Sequence, residues 1–164
     1  MGWSYVVTPG EENSTESAKE VSSKKNTAPR SARRTTEVSL SGLRDEDVGD
    51  RVRVLGTVAV LPGVFGSQYF YIVENGAGVQ VYQNKKDFPA LAVGDGVEIE
   101  GEISQAYGET RLKVASATDI KVVSSGGDIV PKKVSVEDVG EPVAGALVLI
   151  EGEITDVKKT YIWV

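Results

Sequence analysis

Residues Gly66–Tyr82, "GSQYFYIVENGAGVQVY", decide the fold of this chain. Two runs of alternating character, Gln68–Glu74 and Val79–Gln83, flank the segment "ENGAG" (Glu74–Gly78). Asn and Gly tolerate positive φ, so that segment reads as a β-hairpin turn and the runs as its two strands. Side chains alternate across a strand. Phe70 and Ile72 therefore share one face, and Tyr69, Tyr71 and Val73 the other. In the second strand Val79 and Val81 alternate with Gln80 and Tyr82. Placing the more apolar set in a core leaves Tyr69, Tyr71, Gln80 and Tyr82 on a shared outer surface.

Working outward, three segments repeat one pattern, V-x-[VI]-x-G-x-[VI]: Val52–Val58, Val97–Ile103 and Val148–Ile154. Period-two alternation around a glycine predicts long strands that bend or bulge at Gly56, Gly101 and Gly152, as a strongly coiled small barrel requires. Five strands are expected: about Arg51–Val60, Gln68–Glu74, Val79–Gln83, Val97–Gln105, and Arg111–Val114 continuing after a kink through Asp119–Val123. The longer connection Asn84–Gly96 has room for a short helix. Five strands with a break between the third and fourth form the ground plan of an all-β, five-stranded OB-fold Greek-key barrel.

A shift of 96 residues without a gap places Val38, Ser39, Gly49, Val52 and Gly56 on Val134, Ser135, Gly145, Val148 and Gly152. Leu40, Leu43, Val54 and Val58 fall on Val136, Val139, Ile150 and Ile154. This spacing suits a tandem small domain, not a solenoid unit. The expected organisation is residues 1–37 as the end of a preceding domain plus a disordered linker, 38–125 as the OB-fold domain, and 126–164 as a partial second OB-like repeat. Such a chain reads as a fragment. The linker reading rests on residues 11–37, which hold no aromatic residue and one large aliphatic, Val21; so little apolar surface cannot offset the entropy of ordering.

The composition narrows the chemistry. There is no cysteine and no histidine, which removes disulfides, thiolate metal sites and the commonest general base. No catalytic role, cofactor or metal site is expected. The acidic run Arg44–Asp50, "RDEDVGD", lacks the ligand spacing and closing Glu of a calcium loop. No apolar run approaches the ~20 residues of a membrane helix. The net charge is −6, and residues 38–125 carry eight basic against twelve acidic groups. That balance disfavours tight, salt-driven duplex binding.

The stretch Asp50–Val123 resembles a bacterial OB-fold domain of the anticodon-binding-like type. The likeness is carried by the V-x-G-x-V of the first strand, the aromatic second strand ending in an acid and a G-x-G turn, "GDGVEIEG" in the fourth strand, and "TRLKVASATDI" at the end. It implies single-stranded DNA or RNA as partner, with Tyr69, five residues before Glu74, in the base-stacking position. It departs at Tyr71, where many relatives have a polar residue. The candidate nucleic-acid-binding set is Tyr69, Tyr71, Gln80 and Tyr82, with Arg53, Lys85, Lys86, Tyr107, Arg111 and Lys113 lining a phosphate-tracking groove.

The opening "GWSYVVTPGEENS" is similar to the end of bacterial lamin-tail domains, through Thr8, Pro9, Gly10 and Asn13. That likeness implies an extracytoplasmic, cell-surface protein. The leading expectation is a noncatalytic module binding single-stranded nucleic acid weakly, as an accessory part of a larger protein. The alternative is a structural or adhesive β module of a bacterial surface or secreted protein, with a carbohydrate or protein partner.

Overall fold

The computed structural model describes residues 35–160 together with the strand pair residues 162 and 163. The lamin-tail-like opening, the linker through residue 34 and the side chains of Tyr161 and Trp163 lie outside the described residues.

The strands are β1 (Thr36–Glu37), β2 (Arg51–Val60), β3 (Tyr69–Glu74), β4 (Ala77–Tyr82), β5 (Gly96–Ala106), β6 (Glu109–Lys113) and β7 (Ile120–Ser124). Neighbours run β2-β3-β4-β6-β5, and β5 pairs back onto β2, so the sheet closes. All these pairings are antiparallel except β4–β6, which is parallel. A closed five-stranded barrel with this order and one parallel pair is an OB-fold. Closure leaves no long exposed edge among these five strands.

The strands form where alternation predicts them. Val52, Val54, Val58, Phe70, Ile72, Val81, Val97, Ile99 and Leu112 are all fully buried inside the barrel. Leu40 and Leu43, from the 3₁₀ turn Leu40–Arg44, close one end. Phe88 and Leu91 pack on the core at the other end, where the Phe88 ring meets Phe70 edge-on at 5.4 Å. The connection Asn84–Gly96 holds no helix. It plugs the barrel with these two side chains in extended and turn conformation. The β3–β4 hairpin turns through Asn75 and Gly76, both at positive φ, as the Asn-Gly pair predicts.

The pattern glycines act differently from expectation. The β2–β5 ladder runs without a register shift through Gly56↔Val97 and Val52↔Gly101. The shifts occur instead between Val58 and Val60, and between Gly96 and Val97. Gly56 and Gly101 face inward, where a Cβ would come within 3.0 Å of Ile72 Cδ1 and 2.7 Å of Leu112 Cγ. Each lies where its strand passes from one partner to the next, and the missing side chain admits the core residue of the crossing strand.

Residues 36–37, expected within the linker, form β1, which pairs parallel to β2 in the register Thr36↔Val52 and Glu37↔Arg53. The same arrangement recurs later in the chain. Strand β8 (Lys132–Lys133) pairs parallel to β9 (Val148–Leu149) with Lys132↔Val148 and Lys133↔Leu149. Each residue stands 96 positions after its counterpart. The flanking bond from Val38 N to Arg53 O at 3.0 Å is matched by Val134 N to Leu149 O at 3.1 Å. Gly49 and Gly145 both have positive φ.

The burial differs between the two segments. Leu40, Leu43, Val54 and Val58 are at most 3% exposed, whereas Val136, Val139, Ile150 and Ile154 are 41–57% exposed. The long strand expected over Val148–Ile154, with its bend at Gly152, is only two residues in the structure. An extended segment with few strands to pair with holds little regular structure. A further short pair, β10 (Asp156–Val157) with β11 (Ile162–Trp163), is antiparallel.

Candidate nucleic-acid interface

The outward row on β3 meets the outward row on β4 in direct register. Tyr69 faces Tyr82, Tyr71 faces Gln80, and Val73 faces Gly78. On β6, Arg111 pairs with Gln80. One continuous surface therefore gathers Tyr69, Tyr71, Gln80, Tyr82 and Arg111. All five are half-buried, because neighbouring rings and stems cover part of each.

Local contacts fix each ring. The Tyr69 hydroxyl donates to the Phe65 carbonyl at 2.8 Å, and its ring meets Tyr71 edge-on at 6.0 Å. Gly66 makes room for that ring, since a Cβ there would come within 2.7 Å of Tyr69 Cζ. Gln80 Nε2 donates to the Tyr71 hydroxyl at 2.9 Å. Burial pushes the Tyr71 phenol above its ordinary range, and the Gln80 bond offsets part of that shift. The Arg111 guanidinium lies 4.2 Å from the Tyr82 ring centre, and its Nε donates to Ser104 Oγ at 3.0 Å. Arg111 is thus held by a hydroxyl and a π face, leaving its charge uncompensated by any ion pair among the described residues.

Gln68 and Asn84 extend the surface at its Tyr82 end. Gln68 Nε2 donates to Asn84 O at 3.1 Å and Asn84 Oδ1 at 3.3 Å. Asn84 escaped the sequence reading because it lies beyond the expected strand, and Gln68 because its place at the start of that strand gave it the parity of Phe70 and Ile72, whereas the observed strand begins only at Tyr69. Phe65 and Glu109 were missed as well. Glu109 shares the parity of Arg111, which would have placed it on this outer row.

The remaining expected residues are distributed elsewhere. Arg53 faces outward on the β2–β5 side, where its Nε donates to Glu100 Oε1 at 3.1 Å and Glu98 lies 4.0 Å away. The Arg53 contact holds the Glu100 carboxyl below its ordinary range. Lys113 lines a separate cavity of about 310 Å³ with Arg51, Glu100, Glu102 and Asp119. Arg53 does not join the tyrosines, because the outer row of β5 (Glu98, Glu100, Glu102) draws Arg51, Arg53 and Lys121 into ion pairs, whereas Lys113 also stands directly in register with Tyr82 across β4–β6 and so borders the tyrosine surface. Lys85 and Lys86 are exposed just past Asn84, with Lys86 beside Phe88 and the Leu61–Gly63 turn. Tyr107 is fully exposed at the tip of the β5–β6 hairpin and lines a cavity with Tyr71.

The opposite end of the tyrosine surface is covered by residues 141–148. Arg44 reaches across to this segment, donating through Nη2 to the Ala144 carbonyl at 2.8 Å and through Nη1 to the Glu141 carbonyl. Gly78 and Gly145 meet backbone to backbone. The surface is therefore open at its Tyr69–Tyr82 end and walled at its Val73–Gly78 end.

No group of three or more acidic side chains suited to a metal ion occurs among the described residues. No helix among them is long and apolar enough to cross a membrane.

No protein-family model and no curated protein matches the sequence. Among solved structures, the chain is similar to one in the S. pombe Stn1-Ten1 complex, with 13% identity and a TM-score of 0.43, covering 58% of this chain and 82% of that one. It is also similar to the OB domain of MM0293 from Methanosarcina mazei, with 10% identity and a TM-score of 0.40, covering 51% and 79%. A third similarity is to asparaginyl-tRNA synthetase from Pyrococcus horikoshii, with 19% identity and a TM-score of 0.43, covering 56% of this chain and 24% of the enzyme. These likenesses describe shape and carry nothing about a ligand.

Proposed function

We propose that this chain is a noncatalytic OB-fold module that holds single-stranded nucleic acid weakly, as an accessory part of a larger protein. The observation that carries the reading is the register of Tyr69 against Tyr82, with Arg111 stacked beside them on one open surface. Aromatic rings on an OB-fold sheet stack on bases without demanding a sequence, and a nearby guanidinium neutralises phosphate. The acidic groups of the β5 row are paired with Arg51, Arg53 and Lys121, and Glu109 sits at the walled end of the tyrosine surface, away from the Tyr69–Tyr82 pair. That separation leaves the tyrosine surface able to meet an anion in a chain of net charge −6. Few cations border the surface, so the affinity is low and its salt dependence shallow.

The equivalent ladders 96 residues apart support a tandem reading, in which residues 126–164 are a partial second OB-like repeat. Val136, Val139, Ile150 and Ile154 are then its core positions.

Fluorescence anisotropy of labelled single-stranded oligonucleotides tests the function at low salt. Each stacked ring is worth ~1–3 kcal/mol, so Tyr69→Ala combined with Tyr71→Ala weakens binding by roughly tenfold or more. Absence of binding to the unaltered chain, or binding unchanged by the double substitution, overturns the reading.

A further inference from the structure

The walled end of the tyrosine surface borders an open cavity of about 660 Å³ between the barrel and residues 141–148. Three rings face it, Phe65, Tyr71 and Tyr107, with Val73 and Leu147 completing the apolar lining. Its acidic side chains are two carboxylates, Glu109 and Glu141, and no lysine or arginine lines it. Arg44 lines a smaller neighbouring cavity with these two carboxylates and is tied to the backbone carbonyls of Glu141 and Ala144. A phosphate entering here would meet two carboxylates, offset only in part by an Arg44 whose guanidinium is already tied to backbone carbonyls. This cavity is therefore chemically distinct from the open Tyr69–Tyr82 end.

We propose that this cavity is a binding site for an arginine side chain presented by a partner protein. Aromatic faces attract cations through their quadrupoles, and desolvation strengthens that attraction. A guanidinium is planar and weakly hydrated, so it stacks on a ring while its edge donates to a carboxylate. Glu109 makes no side-chain hydrogen bond among the described residues, and its carboxyl is half-buried beside Tyr71. An arriving guanidinium supplies the donors that this carboxylate lacks. The volume falls within the ~300–1,000 Å³ of ordinary ligand sites. It is several times larger than one side chain, which suits an arginine together with its flanking residues.

The site is composite. Barrel strands β3 and β6 and the loop carrying Phe65 form one wall, and the segment leading into β9 forms the other. Arg44 and the glycine contact at Gly78 hold the two together, so the second copy completes a site on the first.

The test is a calorimetric titration of the full chain with two capped tripeptides, Gly-Arg-Gly and its citrulline counterpart, which keeps the shape and removes the charge. The arginine peptide is expected to bind at least tenfold more tightly than the citrulline peptide. Glu109→Gln weakens the arginine peptide severalfold, with an unchanged circular dichroism spectrum. Tyr107→Asn does the same without touching the core, because Tyr107 is fully exposed at positive φ, a conformation Asn tolerates. Equal affinity for the two peptides, no saturable binding of either, or arginine binding indifferent to both substitutions overturns the proposal. None of these outcomes depends on whether oligonucleotides bind.

Discussion

The guanidinium of Arg111 sits 4.2 Å from the ring centre of Tyr82 and is anchored by the Ser104 hydroxyl, so one face of that ring is already occupied by a cation. A base then has the other face and the adjoining Tyr69 for stacking, while Arg111 is left to meet phosphate. Removing it separates the two contributions. Arg111→Ala is expected to weaken oligonucleotide binding and to reduce the slope of log K against log salt by about one contact. Measuring affinity at several salt concentrations checks this; an unchanged slope contradicts the assignment.

Gln83 carries a different expectation. It follows Val79 and Val81 in parity, is fully buried, and both its side-chain amide atoms lack a hydrogen-bond partner among the described residues. A buried unsatisfied polar group costs about 1–3 kcal/mol. Gln83→Leu is therefore expected to stabilise the barrel by about 1 kcal/mol or more, read as a raised midpoint in urea. A loss of stability would show that the amide is satisfied in solution.

Glu109 should make stability depend on pH in a definite direction. Burial raises its carboxyl pKa in the folded chain, Glu141 adds to the rise and Arg44 offsets part of it. A raised carboxylate pKa means that the folded state binds more protons than the unfolded state. Stability then falls as pH rises from the ordinary Glu range through the raised value, and the cost is complete above it. Glu109→Gln should raise the melting temperature at pH 7 and leave it nearly unchanged near pH 4. Comparing melts at the two pH values checks the sign.

The approach of Gly78 to Gly145 is tight enough that a Cβ on Gly78 would come within 2.7 Å of the Gly145 carbonyl carbon and 2.9 Å of Ala146 Cα. Backbone cannot move aside as a flexible side chain does. Gly78→Ala is expected to displace residues 141–148 while leaving the barrel core intact. Hydrogen exchange should accelerate at Ala144 and Ala146, whose amides bond within that segment, and stay slow in β2 and β5. Unaltered exchange at those two amides would contradict the contact.

Much of this was legible in the sequence because strand parity is a local property. Val52, Val54 and Val58 alternate with outward residues along Arg51–Val60, and β2 has those bounds. The outer row Tyr69, Tyr71, Gln80 and Tyr82 followed from the same rule applied across a hairpin whose turn residues fix the register. What parity could not give is which side of a closed barrel an outward residue occupies. Arg53 and Tyr71 both face out, yet one meets Glu100 and the other Gln80, because closure wraps the strands around to different neighbours. The covering segment 141–148 was hidden too, since its contact with Gly78 depends on a path through 3₁₀ turns that no periodicity encodes.

The central claim is that single-stranded nucleic acid lies on the open end of the tyrosine surface. An NMR titration of the chain with a short unlabelled oligonucleotide at low salt tests it most directly, by reporting which amides shift. The expected result is a contiguous set on β3, β4 and β6 around Tyr69, Tyr82 and Arg111, with Arg51, Arg53 and Lys121 silent. Shifts confined to the β2–β5 side, or none at saturating oligonucleotide, would contradict it.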